Sequence, residues 1–188
     1  MDLKYGGDEA KKFITNVGLV SSSGSIGDNI MSAEWTHVIS YSPWLIMINI
    51  GEDSASAKNI IHSKEFGVSI ASNKQANLSS ISGRVSGNKV NKISMLKEVG
   101  ITFYKAKKIN AMMPNGAALN LECKVVKHEK VGNKVMVIGE VVESSVDKNA
   151  TPLIFSSGEY KSVSEFTQSD PRIEQKNIEE LAAKHLKT

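Results

Sequence analysis

Asn29-Ile-Met-Ser-Ala-Glu-Trp-Thr-His-Val38, Trp44-Leu-Ile-Met-Ile-Asn-Ile-Gly51, Ser54-Ala-Ser-Ala-Lys-Asn-Ile-Ile-His-Ser63 and Phe66-Gly-Val-Ser-Ile-Ala-Ser72 are the stretches that decide the fold. A strand opens after Gly27-Asp28 and runs to about Ser40. Tyr41-Ser-Pro43 ends it, because proline lacks the amide that a ladder needs. Trp44 to Ile50 is nearly continuous apolar sequence and reads as a strand buried on both faces. Gly51-Glu-Asp closes it, and a short helix follows with Asp53 or Ser54 as its N-cap. Phe66 to Ala71 returns as a strand. Hydroxyls therefore gather where a buried strand hands over to a helix. The unpaired amides of a first helical turn, with Ser54 and Ser56 beside them, suit a phosphate, and so point toward a nucleotide-like cofactor.

Outward from this segment, Phe13 to Val20 reads as a strand ending in the turn cluster Ser21-Ser-Ser-Gly24. Asn73 to Ser82 reads as a second short helix. Ser82 to Lys92 is a long polar loop, of a length that is often functional. A helical turn is expected at Ile93 to Glu98, a short strand at Ile101 to Tyr104 and a turn at Ala111-Met-Met-Pro-Asn-Gly116. Leu119, Leu121, Cys123 and Val125 alternate with Asn120, Glu122 and Lys124, so that strand turns one face inward. Val131-Gly-Asn reverses the chain into a partner strand from Lys134 to Val142. A strand near Leu153-Ile-Phe155 precedes Ser156-Ser-Gly-Glu-Tyr160. From 174 to 187, Ile178, Leu181, Ala182 and His185 form a helical stripe. The expectation is a mainly β, antiparallel barrel with short flanking helices, in one domain spanning 1–188.

Bulk properties narrow the function. The 188 residues are 40% apolar and 23% charged, an ordinary globular balance. No apolar run approaches the roughly 20 residues of a bilayer span, and the start lacks a secretory core, so no membrane partner and a cytoplasmic location are expected. Cys123 is the lone cysteine and reads as a buried apolar residue. His37, His62, His128 and His185 have no metal-ligand spacing. Net charge is +3, with Arg84 and Arg172 the only arginines. The lysines from Lys89 to Lys108 have only Phe103 and Tyr104 among them. They read as a solvated face, and no nucleic-acid partner is expected. No serine elbow, His-Glu-x-x-His or phosphate-binding P-loop motif is present, which leaves covalent hydrolysis and metalloprotease chemistry without support.

At these residues the sequence resembles the flavin reductase-like family of FMN-binding split-barrel proteins, which includes the flavoredoxins. The resemblance is carried in order by Asn29-Ile-Met31-Ser32-Ala33-Glu34-Trp35, Ile39-Ser40-Tyr41-Ser42-Pro43 and the strand to Ile50. Ser54-Ala55-Ser56, Lys64-Glu65-Phe66 and Ser86-Gly87 through Val90-Asn91-Lys92-Ile93 continue it. Leu121-Glu122-Cys123, Ile138-Gly139-Glu140-Val141 and Gly158-Glu-Tyr160 complete it. Glu34 replaces a small hydroxyl residue, Ser54 stands where many relatives carry arginine, and Asn91 replaces the usual Asp.

The resemblance implies an FMN held at the interface of a homodimer. Met31, Ser32, Ala33, Glu34 and Trp35 would line the isoalloxazine, with backbone contacts from Asn49, Ile50 and Gly51. Ser54 and Ser56 would meet the phosphate, and Ser86, Gly87 and Lys92 would close over it. The reaction it implies is hydride transfer from NADH or NADPH to the flavin, then electron delivery to a small-molecule or protein redox partner. No side chain is required as a catalytic acid or base, since a flavin carries its own redox chemistry. Two other readings stay open: an electron carrier reduced by another protein, and a binding module that uses the lysine face.

Overall fold

The computed structural model describes residues 2–4, 6–163 and 182–184. Its strands are β1 (Thr15–Asn16), β2 (Gly18–Ser22), β3 (Asn29–Ala33), β4 (Thr36–Tyr41), β5 (Trp44–Gly51), β6 (Glu65–Ile70), β7 (Phe103–Lys105), β8 (Met112–Pro114), β9 (Leu119–Val131), β10 (Lys134–Val146), β11 (Leu153–Ser156) and β12 (Glu159–Ser162). Its helices are α1 (Ala55–Ser63), α2 (Ala76–Arg84) and α3 (Lys92–Glu98). Seven strands form one sheet in the order β3-β2-β6-β9-β10-β5-β4, and every pairing in it is antiparallel. A small sheet, β1-β11-β12, and the β7-β8 pair flank it. The fold is a mainly β, antiparallel split barrel. The expected C-terminal helix at 174 to 187 lies outside the described residues, apart from 182–184.

The closure of the barrel follows from connectivity. β3 and β4 are the two edges of the large sheet, yet only Glu34 and Trp35 separate them in sequence, so the sheet must curl until its edges meet. At that corner the Asn49 amide donates to the Trp35 carbonyl (3.0 Å) and the Thr36 amide to the Glu34 carbonyl (3.2 Å). Gly18 permits the close approach. A Cβ there would lie 2.8 Å from Thr36 Cβ and 2.9 Å from the Ala33 carbonyl oxygen, and closer still to Thr36 Oγ1. The sequence expectation of one strand from Gly27 to Ser40 is thus corrected: it is two strands, and the break is the corner of the barrel.

Two apolar cores hold the frame. Val20, Ile46, Ile48, Ile50, Phe66, Val68, Leu121, Cys123, Val135 and Val137 fill the barrel. Gly139 leaves space for the Phe66 ring, whose Cε1 and Cζ would be 2.5 Å from a Cβ at that position. Cys123 is buried here, and burial pushes its thiol up to about 12, so it is inert as a nucleophile. Outside the barrel, Val17, Leu19, Ile30, Leu78, Ile93, Leu96 and Leu153 form the second core. It brings residues of α2 and α3 against β2 and β3.

Several expectations shift by these contacts. The doubly buried strand is β2, in which every residue is buried. β5 instead alternates, with Ile46, Ile48 and Ile50 inward and Leu45, Met47 and Asn49 half-buried. Its outer apolar residues mimic double burial in a one-dimensional reading. Ser21 and Ser22 belong to β2, because they pair with Ile30 and Asn29 of β3. α2 runs from Ala76 to Arg84, later than the expected Asn73 to Ser82, so the polar loop is shorter. Met112 to Pro114, read as a turn, is β8 and pairs with β7.

Candidate functional site

The split of the barrel opens into a cavity of about 520 Å³, within the roughly 300–1,000 Å³ usual for small-molecule sites. One wall is the end of β3 and the corner, Met31 to Trp35; beside it lies the end of β5, Asn49 to Gly51. α2 contributes Ser79, Ser80, Gly83 and Arg84, and β10 contributes Lys134. Asn16, Val17, Phe155, Gly158 and Tyr160, from the small sheet and its flanks, complete the lining.

Local bonds fix these walls to one another. Ser32 Oγ and Ser79 Oγ are 2.7 Å apart, and the Tyr160 hydroxyl donates to Ser79 Oγ at 3.0 Å. This chain ties β3, α2 and β12 together, and the Phe155 and Tyr160 rings pack at 5.4 Å with a 60° tilt. On α2 the spacing of Ser80, Gly83 and Arg84 is i, i+3, i+4, which turns all three to one side of the helix. The cavity carries two cations, Arg84 and Lys134, and one carboxylate, Glu34. Lys134 Nζ lies 5.6 Å from the centroid of the Trp35 ring, a cation–π contact at the rim. Asn16 Oδ1 and Asn49 Oδ1 are buried in this lining without a hydrogen-bond partner among the described residues.

Met31, Ser32, Ala33, Glu34, Trp35, Asn49, Ile50 and Gly51 all line this cavity, where the sequence reading grouped them. Ser54, Ser56, Ser86, Gly87 and Lys92 lie outside that lining. They form a separate cluster around the start of α1 and the buried end of β3. Ser54 is the N-cap of α1, and its hydroxyl accepts from the Ala57 amide (3.1 Å). Ser56 is wholly buried and accepts from Asn29 Nδ2 at 2.8 Å. Gly87 packs on that amide, since a Cβ would sit 2.8 Å from Asn29 Cγ. Ser86 is exposed in the loop before α3. Lys92 is buried and donates to the carbonyls of Ile30 (2.9 Å) and Ser82 (2.7 Å), stitching β3 to α2 behind the cavity wall. Burial pushes its pKa down to about 8.

Arg84, Lys134, the Ser79-Ser80-Gly83 stripe, Asn16, Val17 and Phe155 were not singled out as site residues from the sequence. The end of α2 was read as loop, which hid the helical spacing of Ser80, Gly83 and Arg84. One signal was available, since Arg84 is one of only two arginines. Gly158 and Tyr160 were visible as a motif but had no assigned place in the site. Elsewhere, Glu122 is buried, and its two carboxylate oxygens accept from the amides of Lys107 (3.0 Å) and Lys108 (2.6 Å), an architectural role. Among the described residues, no group of three or more His, Cys, Asp or Glu side chains is placed to hold a metal, and no helix is long and apolar enough to cross a membrane.

An antiparallel barrel with a cavity at its split defines a class of split-barrel proteins. Within that class, the chain belongs to the family of the flavin reductase like domain, whose family model matches residues 10–164. An uncharacterized protein of Archaeoglobus fulgidus is 29% identical over 120 residues, covering 64% of this chain and 66% of that protein. The match thus spans about two thirds of the length of this curated relative. Among solved structures, a flavoredoxin from Methanosarcina acetivorans is similar with a TM-score of 0.78 at 17% identity, covering 94% of this chain and 99% of that one. The flavin reductase PheA2 in its native state is similar with a TM-score of 0.73 at 25% identity, covering 88% and 100%.

Proposed function

We propose that the cavity holds FMN and that the protein is an NAD(P)H-dependent flavin oxidoreductase. The observation that carries this reading is a cavity of about 520 Å³ that offers two cations and the backbone of two strand ends. A flavin brings a phosphate and a flat ring that bonds to backbone, which match the cations and the strand ends in turn. Met31 to Ala33 and Asn49 to Gly51 would hold the ring, and Trp35 would cover its rim. When bound, FMN supplies the redox chemistry, taking electrons from NADH or NADPH and passing them to a second acceptor. The protein's part is position and electrostatics: the Ser32–Ser79–Tyr160 chain keeps the walls in register, and Glu34 sets a negative charge beside the bound molecule. The family membership and the PheA2 likeness support the flavin reading.

The test is to reconstitute the protein with FMN and add NADH or NADPH without oxygen. Loss of the flavin's visible absorbance is expected. FMN that leaves the protein's fluorescence and its own unchanged on mixing counts against the site. A bound flavin that neither nicotinamide bleaches but a reduced redox protein does would make the chain an electron carrier.

The same reading includes a homodimer. Leu45 and Met47 of β5 and Met136 and Ile138 of β10 leave a half-buried apolar face, next to the exposed Val38 and Ile39 of edge strand β4. A second copy covering this face would also protect the edge. Sedimentation at low concentration checks it, and a monomer would remove it from the proposal.

A further inference from the structure

We propose that Arg84 and Lys134 read the phosphate of a nucleotide bound in the cavity, whether that phosphate belongs to a flavin or to a nicotinamide nucleotide. The inference rests on the nucleotide-binding reading above and deepens it. Both cations line the cavity, from two different walls: Arg84 from the last turn of α2 and Lys134 from the first residue of β10. Among the described residues, neither takes part in an ion pair. Lys134 Nζ lies over the Trp35 ring. A guanidinium and an ammonium without anionic partners among the described residues, both lining one cavity, are available for charge-assisted bonds to phosphate oxygens.

The other cation near this wall is already engaged. Lys92 Nζ is buried and donates to the Ile30 and Ser82 carbonyls, and the Ser56 hydroxyl is buried against Asn29. A phosphate reaches either group only by breaking those bonds, whereas it reaches Arg84 and Lys134 through the open mouth. α2 leaves an approach to Arg84. Ser80 and Gly83 face the cavity with Arg84, and Gly83 has no side chain to fill the approach.

The experiment compares ligands that differ by a phosphate, using the full chain. Dissociation constants are measured for FMN against riboflavin, and for nicotinamide mononucleotide against nicotinamide riboside, with and without flavin present. They are taken on the native protein, Arg84→Ala, Lys134→Ala, the double variant, and Lys97→Ala as an exposed-lysine control. The native protein is expected to favour the phosphate-bearing member of at least one pair. Arg84→Ala or Lys134→Ala should weaken that member about tenfold or more, the scale of one charge-assisted bond. The phosphate-free member and the control should stay unchanged. The affected pair tells which nucleotide the cations serve. A phosphate preference that survives in the double variant overturns the inference while leaving flavin binding intact. A native protein that binds no flavin but whose variants lose affinity for nicotinamide mononucleotide keeps the inference and removes the FMN reading; one that binds neither pair removes both.

Discussion

Gly18→Ala puts the barrel corner itself under test. The added Cβ would meet Thr36 Cβ at 2.8 Å and the Ala33 carbonyl oxygen at 2.9 Å, against an optimum near 3.5–4.0 Å for carbon pairs. Neither neighbour can swing aside. Thr36 is fully buried, and its hydroxyl donates to the Ala33 carbonyl at 3.2 Å, while its amide is held by Glu34. Overpacking of this sort costs about 1–3 kcal/mol, and contact with backbone places it toward the upper end, about 3 kcal/mol. That is a large share of a total stability of roughly 5–15 kcal/mol. Urea denaturation should show a midpoint lowered by about 1–3 M at an unchanged slope. Flavin affinity should fall as well, because the corner carries Glu34 and Trp35. Thr36→Ala removes the nearest clashing atom, so the double variant should be more stable than the sum of the single losses implies, by about 1 kcal/mol or more. Gly51→Ala, with no heavy atom within 4 Å of the added carbon, is the control and should change stability by less than about 0.5 kcal/mol. A Gly18→Ala protein as stable as the native one would refute the closure described here.

Three further outcomes follow from the polar seams. Lys92 is held near a pKa of about 8 against 10.5 unperturbed, so between those values the unfolded chain binds more protons and this group's contribution to stability rises with pH. Denaturation midpoints taken across that window should show the rise in the native protein and a flatter profile in Lys92→Met; identical slopes would contradict the buried ammonium. Ser56→Ala strips Asn29 Nδ2 of its 2.8 Å acceptor and should cost about 1–3 kcal/mol, with the ratio of FMN to riboflavin affinity unmoved. Tyr160→Phe removes the 3.0 Å bond to Ser79, about 0.5–1.5 kcal/mol, read as a lowered Tm with the flavin spectrum preserved.

Much of the frame could be read before any coordinates. The alternation of Leu119, Leu121, Cys123 and Val125, the Gly132 turn and the Ser54 cap are local signals, and β9, β10 and α1 stand where those signals point. The family resemblance groups Met31 to Trp35 with Asn49 to Gly51, and the fold brings both stretches to one cavity. What resisted is non-local. That Glu34-Trp35 is a corner depends on Gly18 meeting Thr36, eighteen positions away in sequence. That Ser56 and Lys92 look inward depends on Asn29 and on the carbonyls of Ile30 and Ser82, which no spacing rule places beside them. Arg84 and Lys134 belong to different elements, and only the curl of the sheet brings both to one cavity.

The most direct measurement is a crystal structure of the protein soaked with excess FMN. The isoalloxazine is expected between the Met31–Trp35 wall and the Asn49–Gly51 strand end, with the phosphate toward Arg84 or Lys134 if the flavin is the nucleotide they serve. Flavin density at any other place, with this cavity left to solvent, would contradict the account.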